Sequence, residues 1–273
     1  MSSGELARWE RAVVGAGLAA TGGLAWLYLF RMARQMASDA EMAAMPMSMP
    51  MPMPMSMTHP LSAAWSGEDF LMTFLMWAVM MVAMMVPSAA PMILTFATVN
   101  RNRRAAAGNV FVPTWIFLAG YLTIWTAFSL LATLLQWALH SASLLAPMTL
   151  TVGPAIGGSL FIVAGVYQWT PIKDACLTRC AAPLDFLLGC WREGKGGALV
   201  MGLHHGLYCV GCCAFLMTLL LVLGVMNLLW VAALGGIVLV EKLAKTSRFA
   251  TRVFGVAFVL AGIALFASSF YRS

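Results

Sequence analysis

Hydrophobic positions along this chain fall in long blocks rather than in the alternating or helical-face rhythm of a soluble domain. The blocks lie at roughly 12–30, 70–94, 111–139, 151–169, 198–223, 225–241 and 252–270, with charges and prolines gathered between them. About 20 apolar residues in a helix cross a 30 Å hydrocarbon core, so the pattern predicts seven spans, the sixth being the shortest. The expected fold is all-α, a polytopic transmembrane helical bundle. It divides into an N-terminal tail and first anchor (1–35), a Met/Pro-rich loop (36–66), a core bundle (67–250) and a C-terminal transmembrane helix (251–273).

Composition agrees: 62% of the residues are hydrophobic and 10% charged, with a mean hydropathy of +0.87, values outside the range of soluble domains. With a cytoplasmic N-terminus, the inner segments hold Arg8 and Arg11; Arg101, Arg103 and Arg104; Lys173, Arg179, Arg192 and Lys195; and Lys242, Lys245, Arg248 and Arg252. Only Arg31, Arg34 and Arg272 of the 16 basic residues are left outside. The positive-inside rule therefore predicts N-in, C-out in a bacterial inner membrane, with loop 36–66 periplasmic. Basic loops beside anionic lipid account for the net charge of +6, and no nucleic-acid partner is called for. The first block, Ala12 to Phe30, exceeds the roughly 7 to 15 residues of a signal-peptide core and reads as a retained anchor.

The loop between the first two blocks is a methionine string. Met45, Met47, Met49, Met51, Met53, Met55 and Met57 alternate with Pro or Ser, preceded by Met42 and followed by His59. Alternating proline excludes a helix and predicts an extended, polyproline-like backbone. Such a segment builds no core, so burial does not explain the sulfurs. Thioethers are soft, neutral ligands that select Cu(I) over harder divalent ions, and unlike thiols they form no disulfides. A low-complexity linker is the plainer alternative.

The second block continues the sulfur, with Met72, Met76, Met80 and Met84 on one helix face and Met81 and Met85 beside them. Met is also ordinary apolar filler. In the fifth block, Met201, His205, Cys209, Cys212, Cys213 and Met217 share a broad face rising from the cytoplasmic end, whereas His204 points about 100° away. Ionisable side chains within a bilayer are rare and usually mark a site. Cys176 and Cys180 are spaced i, i+4 in an expected inner loop that folds back on this cluster, with Pro171 placed to start a helix. Their spacing suits a structural zinc knuckle poorly, so copper as Cu+ is the expected metal and zinc the alternative. His140 reads as interfacial, and Glu241 beside Lys242 as an interfacial ion pair, with proton coupling the alternative. No catalytic triad, paired intramembrane carboxylates, phosphate loop or dinucleotide fingerprint supports an enzyme.

Five stretches, MWAVMMVAMMVP (76–87), YQWTPIKDACLTRC (167–180), HGLYCVGCC (205–213), GVMN (224–227) and VEK (240–242), together resemble the bacterial family of uncharacterised, predicted metal-binding integral membrane proteins. The similarity covers roughly residues 65 to 245. It implies metal binding at these Cys and His positions and supplies no transport direction or reaction.

Three functions are compatible with these residues. One is a copper-binding membrane protein that captures Cu(I) on the Met loop and passes it along the Met and Cys/His faces, for transport, delivery or homeostasis. Another is a metal-binding subunit of a larger membrane complex, acting with a membrane or periplasmic partner. The third is a thiol–disulfide oxidoreductase passing electrons across the bilayer through Cys176, Cys180, Cys209, Cys212 and Cys213, with Cys209 and Cys212 as a Cys-x-x-Cys pair.

Overall fold

The computed structural model describes residues 3–44, 65–107, 112–144, 152–225, 227–243 and 247–271. The chain is a helical bundle built from α1 (Ser3–Ala44), α2 (Gly67–Ala107), α3 (Thr114–Ser141), α4 (Pro154–Tyr167), α5 (Pro171–Ala181), α6 (Pro183–Cys190), α7 (Gly194–Thr218), α8 (Leu220–Leu223), α9 (Leu228–Leu243) and α10 (Ser247–Tyr271). The first helix runs on to Ala44 and so takes in the start of the segment expected to be a loop from residue 36.

Among the described residues, five helices are long and apolar enough to cross a membrane: Ala12–Gln35, Gly67–Arg103, Thr114–Ser141, Gly194–Leu223 and Arg248–Ser269. A sixth span forms if α4 and α5, which meet at a 66° bend, are counted as one broken crossing. The expected seven are thus revised to five or six. The block at 151–169 supplies only one arm of the broken pair. The block at 225–241 becomes α9, whose 16 residues reach about 24 Å at 1.5 Å per residue, short of the hydrocarbon thickness.

Three long helices make the centre. Phe96 stacks on Phe117 at one end of the α2–α3 pair and Trp77 donates to Gln136 at the other, so the two helices run antiparallel. The third, α7, runs parallel to α3 at backbone contact: a Cβ on Gly120 would lie 2.3 Å from the Leu199 carbonyl oxygen, and one on Gly202 would lie 2.1 Å from that of Phe117. Small residues allow this approach where lipid supplies no hydrophobic drive between helices. On the flank, α10 packs against α4 through Gly158 and Gly262.

Proline shapes two of these elements. Within α2, Pro87 has no N–H to bond the carbonyl of Ala83, four residues earlier. That carbonyl instead accepts the indole N–H of Trp26 from α1 at 3.1 Å, which satisfies in protein a group that lipid would leave unbonded. At the α4–α5 break, Pro171 starts α5 and the Thr170 hydroxyl caps it by accepting from the Lys173 N–H at 3.3 Å.

The break turns α5 alongside α7. Cys176 lies against Gly211, and Arg179 bonds the Tyr208 hydroxyl. The segment expected as an inner loop is therefore helix within the bundle. Its Lys173 is fully buried and does not count as a loop cation.

Candidate metal centre

On α7 the residues Met201, His205, Cys209, Cys212, Cys213 and Met217 are all buried, and His204 is half-buried. The face chosen by helical spacing is the one turned inward. Cys209 follows Gly194 by 15 residues, about 22 Å at the α-helical rise, which places it near the middle of the Gly194–Leu223 span rather than at its inner end.

Four elements converge on Cys209. From α9, the Lys242 ammonium donates to its sulfur at 2.8 Å and to the Ser88 hydroxyl of α2 at 3.0 Å. From α3, the Tyr121 hydroxyl lies 3.2 Å from the same sulfur and donates to the Met85 carbonyl at 3.2 Å. The thiols of Cys212 and Cys213 both donate to the Cys209 carbonyl, at 3.1 and 2.8 Å. Cys180, buried on α5, is close enough to interact with the thiols of both Cys209 and Cys212. Cys176 is half-buried beside Gly211, and all six cysteines are free.

His205 sits one turn below Cys209 in an aromatic cage. Its ring stacks on Tyr121 at 5.4 Å and Phe117 at 6.1 Å, and Phe186 tilts against it at 5.7 Å. Neither ring nitrogen has a hydrogen-bond partner, although the residue is 1% exposed. An unpaired buried polar group costs about 1–3 kcal/mol, so a histidine held this way calls for an explanation such as an ion.

Lys242, Tyr121 and Ser88 are the residues that sequence reasoning missed. An ion pair between Glu241 and Lys242 was expected, but neighbouring residues on a helix do not face each other. Lys242 instead turns to Cys209, while Glu241 pairs with Lys173 at 2.8 Å, both side chains being buried. Gln168 also accepts from the Lys173 ammonium. One Glu241 oxygen and the Gln168 amide nitrogen have no partner. Helix geometry alone was enough to signal that the two residues of the Glu-Lys pair serve different neighbours.

The Met stripe of α2 is mostly interior. Met76, Met80 and Met84 are buried, as are Met81 and Met85, whereas Met72 is 57% exposed and stands apart from them. Met84 packs against Gly235 of α9. The facing side of α3 is polar, with Ser129, Thr133 and Gln136 buried. Met47, Met49, Met51, Met53, Met55, Met57 and His59 lie outside the described residues.

Among the described residues, no group of three or more His, Cys, Asp or Glu side chains is disposed to hold a metal ion. Lys242 occupies one side of the Cys209 sulfur, and the Cys212 and Cys213 thiols are turned to the helix backbone. The sulfurs are neighbours, not a closed tetrahedral set of the kind structural zinc requires.

Comparison with known proteins gives one positive result. No curated protein and no solved structure matches the chain. A family described as copper chaperones, PpoB2, matches residues 74–265, from the buried part of the Met helix through most of α10. This is a metal-related family, as the resemblance implied, but with copper named in its description. The chain belongs to this copper chaperone family.

Proposed function

We propose that this chain is a membrane copper carrier that binds Cu(I) at Cys209 and passes it on. The observation that carries the reading is the buried Cys209 sulfur, held by Lys242 and Tyr121 with the thiols of Cys180, Cys212 and Cys213 around it. Cu(I) is soft and favours thiolate sulfur. Two thiolates around one Cu(I) carry a net charge of −1, and an ammonium at the same sulfur makes the assembly neutral. Burial in a low-dielectric interior requires such balance, because an uncompensated charge is costly there. His205, with both nitrogens unbonded, is a neutral ligand one turn away.

The Met residues supply the route in this reading. The string at 42–57 collects Cu(I), and Met76, Met80 and Met84 lead it down the inner face of α2 towards Cys209. Thioether to thiolate is a step from weaker to tighter binding, which gives the path a direction. Removing the buried Lys173 and Lys242 from the loop charges leaves the bias of Arg and Lys unchanged in sign. The orientation that follows is a cytoplasmic N-terminus in a bacterial inner membrane, with the Met string on the periplasmic side.

The family's description favours delivery to a recipient over free permeation, with a membrane or periplasmic enzyme as the acceptor. Copper content of the full-length protein in mild detergent tests the reading. Deleting residues 42–57 removes one class of bound Cu(I), and Cys209→Ser with Cys212→Ser removes a second, tighter class. Unchanged copper in both variants overturns the proposal.

A further inference from the structure

A second feature lies one layer out from the thiol cluster. Between α5 and α6 is a cavity of about 350 Å³, lined by Thr178, Arg179, Asp185, Phe186, Gly189 and Cys190 among others. Its size falls at the lower end of small-molecule sites. Phe186 belongs both to the cavity wall and to the cage around His205, whose ring it meets at 5.7 Å. The Arg179 guanidinium bonds the Tyr208 hydroxyl and lies 5.0 Å from the centre of that ring, so its charge is held at the cavity edge. Cys190 is free and half-buried, and it takes no part in the cluster around Cys209.

We propose that this cavity is an exchange port, where Cys190 trades Cu(I) with a small, carboxylate-bearing thiol of the glutathione class. The inference rests on Cys209 being the copper site, and adds where the ion comes or goes. Arg179 holds a carboxylate of the carrier by charge-assisted hydrogen bonds, which places the carrier's sulfur beside Cys190. The exchange is a ligand substitution with no change of oxidation state. A copper–sulfur bond to Cys190 forms, the one to the carrier breaks, and the proton of the Cys190 thiol passes to the departing carrier thiolate. From Cys190 the ion is separated from the unpaired His205 imidazole by the Phe186 ring, whose rotation opens the way inward. A partly open pocket of about 350 Å³ suits a tripeptide-sized thiol better than the thiol of a folded protein.

The test uses full-length protein in detergent and two variants, Cys190→Ser and Gly189→Phe. A Cβ on Gly189 meets no other atom, so the phenyl ring fills the cavity without moving backbone. With Cu(I)–glutathione as donor, both variants load about tenfold or more slowly than the wild type, a barrier change of about 1.4 kcal/mol or more, and reach the same copper content. Without metal, S-methylglutathione, which keeps the carboxylates and cannot consume the reagent, slows alkylation of Cys190 by N-ethylmaleimide in the wild type and in Cys209→Ser/Cys212→Ser, but not in Gly189→Phe. Wild-type loading rates in both variants, or no protection by S-methylglutathione, overturn the port. A slowed Cys190→Ser without protection points to a protein-borne thiol and also overturns it. Failure of the Cys209 reading is distinguishable, since the wild type and Cys209→Ser/Cys212→Ser then hold the same amount of copper while the metal-free protection experiment still reports on the cavity.

Discussion

The ammonium nitrogen of Lys242 on α9 lies 2.8 Å from the sulfur of Cys209 on α7, and both side chains are buried. Ser88 is its other partner, and Glu241, next in sequence, is engaged elsewhere. In the proposed copper site the cation would stand beside the incoming Cu(I) and serve as counter-charge to two thiolates.

Replacing that charge tests its role. Lys242→Gln keeps a hydrogen-bond donor and removes the cation, leaving a bis-thiolate copper site with an unbalanced negative charge. Affinity for Cu(I), measured by competition with a chromophoric chelator, falls about tenfold to a hundredfold, or about 1.4–2.8 kcal/mol. Lys242→Arg restores part of it. Equal affinities in all three proteins would show that the ammonium is a structural contact only.

His205 gives a prediction with opposite signs in the two states. His205→Phe removes two unbonded ring nitrogens from a cage of Phe117, Tyr121 and Phe186. Stability without copper stays level or rises by about 1 kcal/mol, whereas the rise in Tm on adding Cu(I) shrinks. Thermal unfolding with and without the ion reads both. A copper-induced shift equal to that of the wild type removes His205 from the ligand set.

The buried face of α7 was legible in the sequence, for a physical reason. A helix imposes its period on whatever it carries, so Met201, His205, Cys209, Cys213 and Met217 had to share a face, and His204 had to leave it. The long apolar blocks likewise fixed an all-helical bundle. What stayed hidden depends on how segments meet in space. Residues 170–180 read as an inner loop because Lys173 and Arg179 look like surface charges, yet Lys173 is buried on Glu241. The block at 225–241 reads as a span by composition, and only its 16-residue helix reveals that it is too short. Phe186 carries no motif at all, and its place between cavity and imidazole follows from the turn between α5 and α6.

The Met stripe separates conduction from packing. Met76, Met80 and Met84 are buried, and Leu replaces Met at nearly constant volume for less than about 1.5 kcal/mol per site. The triple Leu variant keeps its circular dichroism and binds the same copper at equilibrium. In proteoliposomes, its loading from the side bearing residues 42–57 is slower. A wild-type rate would reduce the stripe to apolar filling.

The central claim is that Cys209 is a copper ligand. X-ray absorption at the copper edge, on full-length protein loaded with Cu(I), reads oxidation state and donor atoms together. The account predicts Cu(I) bound by sulfur in the wild type, with the tighter class of bound copper and its share of the sulfur signal lost together in Cys209→Ser. An unchanged sulfur-ligated spectrum in Cys209→Ser, or a protein that retains zinc and no copper, would contradict it.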